Sequence, residues 1–310
     1  MIDAPEPGAP GLSNDFESHR AHLTRLAYRM LGSIAEAEDA VQDGYLRWHG
    51  LERADIDNPR AFLCRVVTRL CLDRLRQSRT QRERYVGVWL PEPLVEEWSV
   101  NAQPAALTEQ EVSTALMMAL ERLSPLERAA FILHDVFDMA FDEVATTLGR
   151  TEASCRQLAS RARNRVVAAK PRFTVDHQEG TRLTEAFFVA ARSGDATGLQ
   201  SLLAATATFH SDGGGRRRAA LRTIRGADKI GRFYAGLARK GATVEPLWTR
   251  QVRIDGLPGL ISVEHDGTLQ TTAFQLEAGR IQAIFMVRNP DKLRHLLALL
   301  PESVARQVIH

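Results

Sequence analysis

Four arginines on one expected helix carry the first chemistry legible in this chain. Arg156, Arg161, Arg163 and Arg165 lie within the stretch Leu123 to Val167. Guanidinium groups in such a row suit an anion spread along a line, which is what a nucleic-acid backbone offers. The preceding helix is expected at Phe141 to Leu148, where Phe141, Val144, Ala145 and Leu148 repeat as one apolar stripe. Gly149 supplies its left-handed end and Thr151 the N-cap of the next helix, leaving a turn of helix-turn-helix size. In such a unit the second helix enters the major groove with its early residues against base edges. Those residues are Ala153, Ser154, Arg156, Gln157 and Ser160, and the later arginines meet phosphates. A helical hairpin with a solvated basic face is the plainer alternative.

A second basic set runs from Arg60 to Arg84, with eight arginines against Asp73 and Glu83. It predicts salt-dependent, sequence-tolerant backbone binding. Opening a duplex also needs a place for an unstacked base, and Phe62 is the nearby aromatic. Two smaller constellations lie further on. His210 with Asp212, and His265 with Asp266, pair residue types used in general acid–base catalysis. Neighbours on a strand face opposite ways whereas residues two apart share a face, so only His210 and Asp212 suit one cavity. Gly213, Gly214 and Gly215 resemble an anion nest. They lack the following helix and Lys-Ser/Thr of a nucleotide loop, which favours a tight loop contacting another domain. Cys64, Cys71 and Cys155 have no metal-ligand spacing and read as small buried thiols of a reduced, cytoplasmic protein. No metal, cofactor or catalytic role is expected.

These residues need elements to hold them. Residues 1–14, rich in proline and glycine, read as a disordered tail. Residues 15–87 read as all-helical. Leu23, Leu26, Ala27, Met30 and Leu31 line one helix ending at Gly32. Ser33 caps a second, with Ile34, Ala37, Val41, Tyr45 and Trp48 on its apolar side. A third starts at Asn58-Pro59, with proline in its first turn. Residues 88–107 form a linker that is unusually apolar, since Trp89, Leu90, Leu94 and Trp98 suit docking better than a flexible tether. A second helical domain spans 108–170. From 176 the pattern changes to helices at Arg182–Ser193, Ala196–Ala204 and Ala227–Lys240. Strand-like runs are ATFHS, TVEPLWT, GLISVEH, TLQTTAFQLE and RIQAIFMV. Hairpin turns at Asp266-Gly267 and Ala278-Gly279 predict a curved antiparallel sheet. The fold class is therefore multidomain: two all-α domains, then an α+β domain over 176–290 and a helical tail over 291–310, broken by Pro301.

At 310 residues the chain has room for two or three cores. Hydrophobic and charged fractions of 44% and 25% are those of a globular protein. The net charge of +2 is uninformative, but two basic patches separated by the acidic stretch Glu92 to Glu127 suit DNA contact at two places. No run approaches the length of a membrane span.

The motif AEDAVQDGYLRW (Ala37 to Trp48), followed by LSPLERAAFIL and CRQLASRARNRV, resembles the extracytoplasmic-function sigma factors of bacteria. WLPEPL (Trp89 to Leu94), DGGGR (Asp212 to Arg216) and NPDKL (Asn289 to Leu293) resemble signatures of the subgroup with a C-terminal SnoaL-like domain of the nuclear-transport-factor-2 fold. The resemblance implies core RNA polymerase and promoter DNA as partners, with no membrane. It places Glu38, Asp39, Gln42, Asp43 and Leu46 on a polymerase-binding helix. Minus-ten DNA would be met by Arg60, Arg65, Thr68, Arg69, Arg76 and Arg79. Minus-thirty-five DNA would be met by Ser154, Arg156, Gln157, Ser160, Arg161 and Arg163. A regulatory interdomain set would join Trp89, Leu90, Pro91 and Glu92 to Asp212, Gly213, Gly214, Gly215 and Arg216, and to Asn289, Pro290, Asp291 and Lys292. Two rivals stand beside it: a dimeric helix-turn-helix repressor or activator that does not replace sigma, and a SnoaL-like cyclase or isomerase with added helical domains. An unknown small-molecule ligand in the C-terminal domain is left open.

Overall fold

The computed structural model describes residues 10–50, 56, 58–83, 85–97, 114–166, 177–241 and 244–309. Contacts divide the chain into two units. Met1–Thr80 joins Ala119–Ala168 in the first, and Gln81–Met118 joins Ala169–His310 in the second. The linker thus belongs with the C-terminal domain.

The first unit is helical. Helix α1 spans Pro10–Leu31, α2 Ile34–His49 and α3 Pro59–Glu83. The start of α1 corrects the expected tail, because residues 10–14 are already helical and proline fits a first helical position. Leu23, Leu26, Ala27, Met30 and Leu31 are fully buried, as their spacing predicts. The Ser33 side chain accepts from the Glu36 amide and starts α2. Helix α4 (Thr114–Glu121) passes from the second unit into the first. It is followed by α5 (Pro125–Phe131), a π-helical turn at Ile132–Val136, α6 (Phe141–Leu148) and α7 (Glu152–Val166). Ser124 and Glu127 form a reciprocal capping box at α5. Gly149 is left-handed (φ 63°), and the Thr151 hydroxyl accepts the Ser154 amide at 3.3 Å. The helix-turn-helix is therefore built as expected.

The second unit packs α8 (His177–Ser193), α9 (Ala196–Leu202) and α10 (Ala227–Arg239) with β2 (Leu203–Asp212), β3 (Ile224–Arg225), β4 (Trp248–Ile254), β5 (Leu257–Val263), β6 (Leu269–Glu277) and β7 (Arg280–Val287). Linker residues Val95–Glu97 form β1, and the sheet order is β1-β4-β5-β6-β7-β2-β3. Two expectations change here. The sheet is mixed, because β2 lies parallel to β7 while the other pairs are antiparallel. The fourth strand is Trp248–Ile254 and not the run Thr243–Thr249, since Pro246 lacks a ladder donor. Phe187, Phe209, Tyr234, Phe274 and Ile284 make one core, between the sheet and α8 and α10. The opposite sheet face buries Val252, Ile261, Val263, Phe285 and Val287 beneath linker residue Leu90 and tail residues Leu293, Leu296 and Leu300. The tail forms two 3-10 turns and then a short helix α11 (Glu302–Ala305), so Pro301 starts a further turn where a break was expected.

Candidate functional site

Tyr85, Leu90, Gly214 and Lys292 meet around one carboxylate. Asp212 ends β2 and is fully buried. Its Oδ1 accepts from the Tyr85 hydroxyl (2.6 Å) and the Gly214 amide (3.0 Å). Its Oδ2 accepts from the Leu90 amide (2.8 Å) and from Lys292 Nζ (2.8 Å). Lys292 Nζ also donates to the Leu90 carbonyl and sits 4.0 Å from the Trp89 ring centroid and 5.0 Å from that of Tyr85. A buried ammonium thus meets an anion, a carbonyl and two aromatic faces, the partners that offset its lost hydration. Asn289 donates to Tyr85 Oη (2.9 Å), and the Asp212 carbonyl accepts the Asn289 amide (3.0 Å). His295 Nε2 lies 2.9 Å from the Pro93 carbonyl.

The glycine loop is required by space. A Cβ on Gly214 (φ 59°) would stand 2.3 Å from Asn289 Nδ2, and one on Gly215 (φ 71°) 3.3 Å from the Val86 side chain. Arg216 and Asp291 pair at the surface (3.2 Å). Of the linker motif, Leu90 and Pro91 are buried while Trp89 and Glu92 are half-buried; Pro290 is half-buried as well. Burial and the Asp212 carboxylate push the Tyr85 hydroxyl pKa well above its usual value.

His210 and Asp212 do share a sheet face, but the Asp212 carboxylate is occupied by four donors. His210 contacts Thr208 Oγ1 (3.1 Å) and Thr223 Oγ1 (3.2 Å) and stacks on Phe285. His265 and Asp266 lie beyond the end of β5, in the turn before β6. Burial raises the thiol pKa of Cys64 to about 11 and of Cys71 to about 12, so both stay protonated at neutral pH.

On α2, Ala37, Ala40, Val41, Gly44 and Trp48 are buried, which leaves Glu38, Asp39, Gln42 and Leu46 exposed. Leu46 is 61% exposed, a large apolar side chain on an acidic face. Asp43 is half-buried and paired with Arg74 (2.7 Å), which lies 3.8 Å from Asp39. On α3, Arg60, Arg69 and Arg76 are exposed and Arg65 is half-buried. Arg76 pairs with Asp73 (3.0 Å), and Arg69 Nε reaches the Thr147 carbonyl at the end of α6 (3.4 Å). Thr68 corrects the expectation. It is fully buried between the core positions Val67 and Cys71 and presents no hydroxyl to solvent. The Arg79 side chain lies outside the described residues. On α7, Cys155, Ala159, Ala162 and Val166 are buried and Arg156, Gln157, Ser160 and Arg161 are exposed, with Ser154 and Arg163 half-buried. Arg156 pairs with Glu152 (2.8 Å) over the Phe141 ring, and Arg163 pairs with Asp135 (2.6 Å).

Residues 16–81 match the family model of Sigma-70 region 2, and residues 113–166 match that of Sigma-70 region 4. The ECF RNA polymerase sigma factor SigJ of Mycobacterium tuberculosis is 39% identical over 289 residues, 90% of this chain and 92% of that protein. The chain belongs to the extracytoplasmic-function sigma factors. The probable ECF RNA polymerase sigma factor SigI of the same organism is 32% identical over 297 residues, 93% of this chain and 97% of the relative. The crystal structure of M. tuberculosis SigJ aligns with a TM-score of 0.74 at 36% identity, covering 91% of this chain and 98% of that one. As a member of this family, the protein is an alternative sigma factor for transcription initiation.

Two residues of this sigma factor's linker site carry little signal in the sequence. Tyr85 stands just before the WLPEPL motif and carries no local signal of its partner 127 residues away. Asp255, at the β4–β5 turn, sits in an Asp-Gly dipeptide, the same signal that located the turn at Asp266-Gly267. Among the described residues no helix is long and apolar enough to cross a membrane.

Proposed function

We propose that the C-terminal SnoaL-like domain regulates this sigma factor in cis by gripping the linker between regions 2 and 4. The observation that supports it is the buried Asp212–Lys292 pair, which also bonds linker residues Tyr85 and Leu90. Covalent linkage raises the local concentration of the regulator to about millimolar, so weak contacts suffice to bias the chain between arrangements. Within the first unit, Arg69 rests on the end of α6 and Arg128 ties α5 to α1, as in a compact form with part of its DNA-facing surface engaged. Transcription by purified core RNA polymerase, comparing the full-length chain with one ending at Lys170, tests the reading. A ratio well away from one supports cis regulation, and a ratio of one overturns it.

The finer roles follow the same reading. Glu38, Asp39, Gln42 and Leu46 face core polymerase, where carboxylates set orientation and on-rate more than affinity. Arg60, Arg65, Arg69 and Arg76 hold the minus-ten backbone. The α7 residues read the minus-thirty-five element. Arg156→Ala is expected to relax preference at one or two base pairs, costing about 1–3 kcal/mol there, whereas Arg163→Ala weakens all sequences alike. Competition binding across single-base promoter variants checks this, and a uniform loss from both substitutions would remove Arg156 from base readout. The SnoaL-like domain acts as a non-catalytic regulator, and the protein works in the cytoplasm with polymerase and DNA.

A further inference from the structure

Strands β4 and β5 meet in a two-residue turn, Asp255-Gly256, with both residues left-handed (φ 50° and 74°). Asparagine, aspartate or glycine suits the first position of such a turn. Asp255 does more than turn the chain. It is 4% exposed, and both carboxylate oxygens are taken by distant segments. Oδ1 accepts the Leu94 amide (3.1 Å), and Oδ2 accepts the Thr114 hydroxyl (2.9 Å). The Asp255 amide in turn donates to the Leu94 carbonyl (2.8 Å). Leu94 precedes β1, the linker strand that pairs with β4, and Thr114 is the first residue of α4. Ala115 and Met118 of α4 pack against the same core as Val95 and Leu90. Thr114 also falls within the region 4 match, residues 113–166.

We propose that Asp255 is a second latch, a positioning residue that pins the end of the linker and the start of region 4's first helix to the regulatory domain; this rests on the cis-regulatory reading above. A hairpin turn needs only the left-handed backbone, which glycine supplies without a side chain. A buried carboxylate there is costly unless donors reach it, and the linker and α4 each send one, the Leu94 amide and the Thr114 hydroxyl. Asp212 therefore holds the linker at Tyr85 and Leu90, and Asp255 holds Leu94 and the start of α4. Breaking the first leaves the region 4 end attached, and full release requires both.

Hydrogen exchange on the full-length chain separates a latch from a turn. Asp255→Gly keeps the left-handed turn and deletes both acceptors. Asp255→Asn keeps the turn and can keep both partners, with its carbonyl on the Leu94 amide and its Nδ2 donating to Thr114. Thr114→Val removes the hydroxyl alone. Asp255→Gly is expected to speed exchange of the Leu94 amide and of residues 114–118 by about tenfold, while β4–β5 amides stay protected. Thr114→Val should act on residues 114–118, and Asp255→Asn should stay near wild type. Unchanged Leu94 exchange in Asp255→Gly would overturn the latch. So would loss of protection centred on the hairpin. A transcription ratio of one between full-length and shortened chains would end the regulatory reading separately, with the exchange result still standing.

Discussion

Replacing Asp212 with alanine in the full-length chain is expected to free the upstream end of the linker. The substitution removes the anion facing Lys292, which is 7% exposed, and strands the Leu90 amide and the Tyr85 hydroxyl. Breaking one side of a buried pair costs about 3–5 kcal/mol, mostly because the remaining charge stays desolvated. The second unit relieves that cost most easily by letting residues 85–90 leave, since they supply two of the four donors. Exchange of the Leu90 amide should accelerate by at least about a hundredfold, and protease should cut within 85–97. An Asp212→Ala chain whose Leu90 amide keeps wild-type protection would show that apolar burial of Leu90 alone holds the linker.

The other large effect lies in the first unit. Arg128 is 2% exposed, pairs with Glu121, and donates from Nε to the Arg29 carbonyl near the end of α1 (3.1 Å). A guanidinium at a helix C-terminus meets the negative end of the helix dipole. Arg128→Ala removes the guanidinium that pairs with Glu121 and bonds the Arg29 carbonyl, and opens a void between α1 and α5. The first unit should lose about 3–5 kcal/mol, read as a shift in the urea midpoint at unchanged slope. A loss under about 1 kcal/mol would mean that water replaces the guanidinium at that site.

Much of the helical half was legible because its signals are local. Gly149 and Thr151 mark the turn of the DNA-binding unit, and Ser33 marks the start of α2. The stripes on α2 and α7 follow from spacing alone. Thr68 was misplaced for a physical reason: a polar residue between arginines reads as surface, while the helix period puts it on the face of Cys64 and Cys71. The C-terminal half was legible as hairpins and illegible as a mixed sheet. Asp266-Gly267 and Ala278-Gly279 announce their turns, but nothing local says that β2 will lie parallel to β7 across the whole meander. The linker was read as docking from Trp89 and Leu90. That Val95–Glu97 would extend the sheet depends on an open β4 edge, and β4 itself was displaced toward Pro246 in the sequence reading. The same displacement hid Asp255. Motif residues Asp212, Asn289 and Lys292 do lie together, and the carboxylate that the catalytic alternative needs as a base accepts four hydrogen bonds, two of them from linker residues.

The most direct test of the central claim is promoter-dependent transcription by core RNA polymerase with the full-length Asp212→Ala protein beside wild type. The rate is expected to move in the same direction as on removal of residues 171–310, because both changes release Tyr85 and Leu90 from one latch. A wild-type rate from a chain whose Leu90 amide exchanges freely would contradict it, by showing that the linker's attachment does not govern initiation.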